Sequence, residues 1–245
     1  MNTYLITGAS SDVSIELLNR LEESKEECVA ICQYRSNKAI LDQCREKFKF
    51  VQLKDYRCDL SNYAEIEQWI NEVQKDNYHP THIAHFAASR LEYNRIKDFD
   101  WETLDREFLI QVGSLGMILK AFLPGMAKKK YGKIAVMLTS CTLGTPPKFM
   151  SNYYVPKYAL MGLVRAAASE YAGKGITINA LSPNMMETKF LENLDERVIE
   201  MTANQTSMKR NIKVSETVDS VMFLLSEHSN YMNGINLNLS GGDYM

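Results

Sequence analysis

Residues 3–14 read Thr3-Tyr4-Leu5-Ile6-Thr7-Gly8-Ala9-Ser10-Ser11-Asp12-Val13-Ser14: an apolar run, one glycine, a cluster of hydroxyl residues and the start of a helical pattern. A strand that enters a tight glycine turn and leaves it as a helix gathers backbone N–H groups and a helix N-terminus around one point. α/β proteins hold a pyrophosphate there. Gly8 supplies the close turn. Read alone, the stretch is not specific. The dinucleotide fingerprint carries three glycines, and serine or aspartate at such a place also caps a helix.

The rest of the chain repeats the rhythm of this stretch. After Thr3–Thr7, apolar runs at Cys28–Tyr34, Phe50–Asp59, His82–Ala88, Lys133–Ser140, Ile176–Ser182 and Ile235–Leu239 make about seven strands. Between them lie amphipathic segments at Ile15–Glu23, Ala39–Lys47, Tyr63–Lys75, Trp101–Met126, Val155–Tyr171 and Val214–Leu225. Such alternation predicts an α/β fold: a doubly wound parallel sheet with right-handed crossovers and helices on both faces. No repeat, low-complexity tract or linker interrupts it, so residues 1–245 are expected to form a single domain. The longest aperiodic stretch, 184–213, is expected to be a loop over a site, and a surface excursion with a short helix is compatible with that.

The formal net charge is −2, with 45% apolar and 24% charged residues, an ordinary globular composition. Nothing in the net charge calls for nucleic acid or a membrane surface. Lys128-Lys129-Lys130 reads as the basic end of a helix. No run approaches the ~18 apolar residues of a membrane span, and no signal-peptide pattern shows at the N-terminus. Five cysteines (Cys28, Cys32, Cys44, Cys58 and Cys141) without CxxC pairing point to free thiols and a cytoplasmic location. Cys28 and Cys32 could share a strand face, but no partner at ligand spacing supports a metal. His82, His85 and His228 read as structural.

The second strand ends at Tyr34-Arg35-Ser36-Asn37. In a dinucleotide fold the adenine ribose is read there, by an acid for NAD. Here Arg35 and Ser36 stand instead, and a guanidinium suits a 2′-phosphate, which favours NADP (NADPH) over NAD. Asp59, after the third strand, could bond an adenine or cap the next helix, and the cap is the simpler reading. Ser140 ends a strand, and Tyr153 and Lys157 stand four apart on a helix, hence on one face. An ammonium beside a phenol lowers the phenol pKa from its reference of ~10. Such a tyrosine can exchange a proton with a carbonyl or alcohol oxygen that Ser140 holds.

Together these residues resemble the short-chain dehydrogenase/reductase family over essentially the whole chain. Gly8, Ser10, Ser11, Asp12 and Val13 resemble its cofactor turn, and Asp59-Leu60 its adenine contact. Ser140, Tyr153 and Lys157 match its catalytic serine, tyrosine and lysine in order, and Gln111 stands where its fourth catalytic residue, an asparagine, is expected. Asn179-Ala180-Leu181-Ser182-Pro183, Met186 and Thr188 resemble the segment that cradles nicotinamide, and Gly241-Gly242 its C-terminal turn. The resemblance implies a single NAD(P)-binding Rossmann domain and reduction of a carbonyl by hydride transfer from NADPH. Tyr153 would be the acid, Lys157 its tuning partner and ribose contact, and Ser140 the orienting hydroxyl. Homotetramers or homodimers are typical of the family. The 3-oxoacyl-carrier-protein reductases look most similar, at Tyr34–Asn37 and Lys157-Tyr158-Ala159-Leu160. This makes a small-molecule or acyl-carrier-bound carbonyl the expected substrate, with Lys128–Lys130 and Arg165 as possible docking groups. A sugar or polyol dehydrogenase and a non-catalytic binding protein are the alternatives.

The departures are specific. Asp12 and Ser14 replace glycines, so a carboxylate nears the pyrophosphate and a side chain enters a close helix contact. His85-Phe86-Ala87-Ala88 replaces Asn-Asn-Ala-Gly, Asn184 replaces a glycine, and Pro156 is tolerable only in a first helical turn. An enoyl reductase, raised by Ser14-Ile15, fits less well because its relatives space tyrosine and lysine more widely.

Overall fold

The computed structural model describes residues 1–244. Seven strands, β1 (Asn2–Thr7), β2 (Cys28–Tyr34), β3 (Val51–Arg57), β4 (His82–His85), β5 (Gly132–Met137), β6 (Ile176–Pro183) and β7 (Asn236–Leu239), form one parallel sheet in the order β3-β2-β1-β4-β5-β6-β7. The inner strands are buried on both faces, which is why they read as unbroken apolar runs. Alternate residues serve opposite cores. Leu5, Ile31, Ile83 and Ile134 meet α3 (Tyr63–Lys75), α5 (Ser114–Lys129) and α6 (Ser151–Glu170). Ile6, Ala30, Ala84 and Ala135 meet α1 (Asp12–Glu23), α2 (Ala39–Lys47) and α8 (Val214–Leu225). Cys28 and Cys32 do share a face, in the second of these cores.

Several boundaries differ from expectation, each at a site-facing end. The strand expected to reach Ser140 stops at Met137, and Ser140 opens a 3₁₀ turn capped by Thr139. The strand expected to reach Ala88 stops at His85, leaving Ala87 and Ala88 in a loop. The helix expected over Trp101–Met126 is α4 (Trp101–Phe108) and α5, joined by a π turn at Leu109–Gly113. A Cβ at Gly113 would lie 2.7 Å from Leu109 Cδ1, a contact that a shift of the Leu109 side chain would relieve. As one stretch, Trp101–Lys129 is long and apolar enough to cross a membrane, unlike the sequence expectation. Its inward face, from Leu115 through Ile118 and Phe122 to Met126, instead packs in the core. α6 starts at Ser151, not Val155, so Pro156 lies in its second turn and cannot donate to the carbonyl of Asn152. Within 184–213 stand a 3₁₀ turn (Lys189–Leu191) and α7 (Glu196–Gln205).

Two buried histidines give the fold a pH dependence. His82 stacks on Tyr4 at 4.3 Å, with Nδ1 2.8 Å from Thr81 Oγ1. Burial, aided by nearby Lys133, pulls its pKa down to about 4. Burial does the same to His85, also to about 4. Both values lie below the ~6.5 of an unfolded histidine, so the unfolded chain takes up protons first as pH falls. The stabilisation is complete above about pH 6.5 and is lost toward pH 4. Urea unfolding should therefore lose about 1 kcal/mol per histidine between pH 7.5 and 5.5. A pH-independent midpoint over that range would show that the rings titrate in the folded protein as they do in the unfolded chain.

Candidate active site

The strand order reverses beside β1, and the crevice beyond the carboxyl ends of β1 and β4 is where such sheets bind ligands. A cavity of about 810 Å³ lies there. Its walls include Ser10, Ser11, Asp12 and Val13 from the turn after β1, the trio Ser140, Tyr153 and Lys157, and Ala88, Pro183, Met186 and Thr188.

The turn after β1 is built by side chains as much as by glycine. Gly8 has φ +64°, a left-handed conformation that glycine adopts without steric cost. Its N–H donates to Gln33 Oε1 at 2.8 Å, and Gln33 Nε2 donates to the Cys58 carbonyl at 2.7 Å, tying the turn to β2 and β3. Ser14 causes no clash. Its hydroxyl folds back to donate to the Gly8 carbonyl at 2.9 Å, and Ser11 caps α1 by accepting from the Ser14 N–H. Asp12 lines the cavity, and its Oδ2 accepts from the Lys189 N–H at 2.8 Å, joining the turn to the loop over the cavity.

Tyr153 sits in the first turn of α6, with its ring 5.8 Å from Phe190 and 5.7 Å from Tyr154. Lys157 follows one turn later, its Nζ 5.8 Å from the Tyr153 ring centre and donating to the Met137 carbonyl at 2.9 Å. Burial pulls Lys157 down to about 8, against the pull of Glu107. Burial also pushes the Tyr153 phenol above its ordinary value, and the Thr139 hydroxyl opposes that. The expected lowering of the phenol by Lys157 is thus not seen, because desolvation by burial dominates. Ser140 is buried beside them.

Gln111 does not line the cavity. It lies fully buried in the π turn, where its carbonyl accepts from His85 Nε2 at 2.8 Å. His85 Nδ1 is then the acceptor for the Thr7 hydroxyl, at 2.9 Å. His85 thereby ties β1 to the π turn. Sequence reasoning saw a histidine in a strand but not this bridge, which depends on partners distant in the chain.

At the adenine end, Arg35 and Ser36 are exposed beyond β2, outside the cavity. Asp59 and Leu60 also lie outside it, as do Gly8 and Ala87. Partial burial works against ionisation of Asp59, but Ser61 N–H and Oγ donate to Oδ1 at 2.9 and 2.7 Å and hold its carboxyl below the usual range, with Arg35 and Arg57 adding to this. These bonds close a turn ahead of α3, whose cap is Asn62, so Asp59 does not take the expected helix-capping role, while Leu60 is buried in the core. Part of the cavity wall is apolar: Leu91, Met150, Met185, Phe190, Leu191 and Leu194 line it, and Tyr154 packs in the same cluster. Arg90, which lines the cavity, pairs with Glu192 at 2.8 Å. Leu91, Tyr93, Met150, Asp243 and Tyr244 line the cavity without any periodic signal in the sequence. Lys128–Lys130 end α5 just before β5 begins, at the opposite end of the sheet from the cavity.

The family described as enoyl-(acyl carrier protein) reductase matches residues 18–243, starting past the divergent turn. A 3-oxoacyl-(acyl-carrier-protein) reductase of Buchnera aphidicola subsp. Acyrthosiphon pisum is 30% identical over 187 residues, 76% of each chain. Among solved structures, a 3-oxoacyl-(acyl-carrier protein) reductase from Brucella melitensis superposes with TM-score 0.88 at 19% identity, over 100% of this chain and 91% of that one. An NAD⁺-bound xylitol dehydrogenase gives 0.85 at 24%, over 98% of both. These two show the same fold. The chain belongs to the short-chain dehydrogenase/reductase family, and is an oxidoreductase of the kind that works with a nicotinamide cofactor.

Proposed function

We propose that the protein reduces a carbonyl to an alcohol at the expense of NADPH, with a 3-oxoacyl thioester as the first substrate class. The observation that carries this is one cavity lined by the N-terminus of a helix, by Ser140, Tyr153 and Lys157, and by an apolar wall. The N–H groups of Ser10–Val13 fit a diphosphate. Arg35, exposed where the ribose edge would lie, fits a 2′-phosphate. Bound nicotinamide supplies the hydride. Ser140 holds the carbonyl oxygen and Tyr153 gives it the proton. A phenol is protonated at neutral pH, the form that can donate to the carbonyl oxygen. The apolar wall suits an acyl chain and offers a polyol few partners. The reading extends to a homo-oligomer and to an acyl-carrier-bound form of the substrate.

Fluorescence titration with NADPH and with NADH tests the cofactor choice. NADPH should bind more tightly, and Arg35→Ala should erase the difference, a loss of several-fold to about tenfold for an exposed guanidinium–phosphate pair. Equal affinities in the unmodified protein would overturn the NADPH assignment, and binding of neither nucleotide would overturn the reductase reading.

A further inference from the structure

We propose that Tyr244 sets the substrate specificity of the site: its ring, seated on Gly144, limits the bulk that a carbonyl compound can carry next to its reacting carbon. The substrate part of this rests on the reductase reading. After β7 the chain turns through Gly241 and Gly242, at φ +63° and +93°, and brings Tyr244 to the cavity wall. The main chain there is fastened on both sides. Asn238 Nδ2 donates to the Tyr244 carbonyl, and the Tyr244 N–H donates to Ser240 Oγ at 3.1 Å. Asp243 Oδ1 accepts from the Ser207 N–H at 2.7 Å and Oδ2 from Asn184 Nδ2 at 2.7 Å, so one carboxylate ties the segment to the loop over the cavity at two points. A ring carried on a backbone supported in this way keeps its place.

The seat of the ring accounts for Gly144. Its φ is not positive, so the backbone there is open to any residue. What is missing is room for a side chain: a Cβ would lie 2.7 Å from Tyr244 Cδ1 and nearer still to Cε1. Tyr244 lines the cavity and Gly144 does not, so the ring stands between Gly144 and the open space. Gly144 comes directly after the 3₁₀ turn of Ser140–Thr142 and its cap Leu143, and Ser140 and Cys141 of that turn line the same cavity. The ring does not belong to the apolar cluster of Leu91, Met150 and Leu194. With Ser140 holding the carbonyl oxygen, the ring therefore bounds the space beside the carbonyl. Taking the ring away extends the cavity to Gly144, and a methyl group placed behind it drives the ring inward.

Two measurements test this, one of them without turnover. Cys141 is half-buried on the cavity wall and the other four cysteines are buried, so its alkylation, located by mass spectrometry, reports access beside the ring. Tyr244→Ala should speed labelling by N-phenylmaleimide several-fold more than labelling by the slimmer N-ethylmaleimide. Tyr244→Phe, which keeps the ring, should label like the unmodified protein, and Gly144→Ala should slow the phenyl reagent. A ratio of the two labelling rates unchanged in Tyr244→Ala would overturn the proposal; if that variant does not fold, an unchanged ratio in Gly144→Ala would do so. In turnover, the unmodified protein should prefer a 3-oxopentanoyl thioester over its 2-methyl and 4-methyl forms by about tenfold or more in kcat/KM, the worth of a methyl group in a closed pocket. Tyr244→Ala should remove most of that preference. A preference equal in Tyr244→Ala and the unmodified protein would overturn the specificity role. Altered labelling with no carbonyl compound turned over would uphold the ring as the limit of the cavity and overturn the reductase reading instead.

Discussion

Tyr153→Phe should lower turnover of a carbonyl substrate by ~100-fold or more, with NADPH affinity within a few-fold of the unmodified protein. The change removes one oxygen. The ring still packs against Phe190 and Tyr154, and α6 keeps its start at Ser151. What is lost is a positioned proton donor, a loss that general acid catalysis puts at about 10²–10⁴-fold. Ser140 can still hold the carbonyl oxygen but cannot protonate it efficiently, because a serine hydroxyl is a far weaker acid than a phenol. Steady-state kinetics beside a nucleotide titration separate the two effects. Turnover within threefold of the unmodified protein would remove Tyr153 from the acid role.

Asp12→Gly should tighten NADPH binding by about ten- to a hundredfold. A carboxylate in the first turn of α1 sits near the diphosphate position, and two like charges about 6 Å apart repel by a few kcal/mol at an effective dielectric near 20. Screening reduces that at physiological salt. Asp12 is held there by its bond to the Lys189 N–H, which also ties the loop over the cavity to the cofactor turn. Asp12→Asn separates these roles, since it keeps an acceptor for Lys189 and drops the charge. If repulsion is the larger effect, Asp12→Asn and Asp12→Gly tighten binding alike and the gain shrinks with added salt. A gain confined to Asp12→Gly would make the tie to the loop the larger barrier. Unchanged affinity in both would show that the carboxylate does not meet the diphosphate.

The architecture was legible because strand and helix periods are local properties. Seven runs and six amphipathic segments map onto the sheet and its main helices with errors of a few residues at their ends. The facing of Tyr153 and Lys157 was legible for the same reason, since residues four apart on one helix share a face by spacing alone. What was not legible depends on contacts between distant parts of the chain. Ser14 reads as a bulky replacement for glycine, yet its hydroxyl pins the turn by bonding Gly8. The phenol pKa was expected to fall, and burial raises it, because desolvation is set by the enclosing loops and not by the neighbouring lysine. The π turn at Leu109–Gly113 and the Thr7–His85–Gln111 bridge have no local signature. The aperiodic segments that bring Leu91, Met150 and Tyr244 to the cavity carry none either.

The most direct test is NADPH consumption by the purified protein in the presence of a short 3-oxoacyl thioester, with Tyr153→Phe run beside it. Thioester-dependent loss of NADPH that yields the 3-hydroxy product, and falls by ~100-fold in the variant, is the expected result. Tight NADPH binding with no thioester-dependent oxidation, or oxidation that proceeds equally well in Tyr153→Phe, would contradict it.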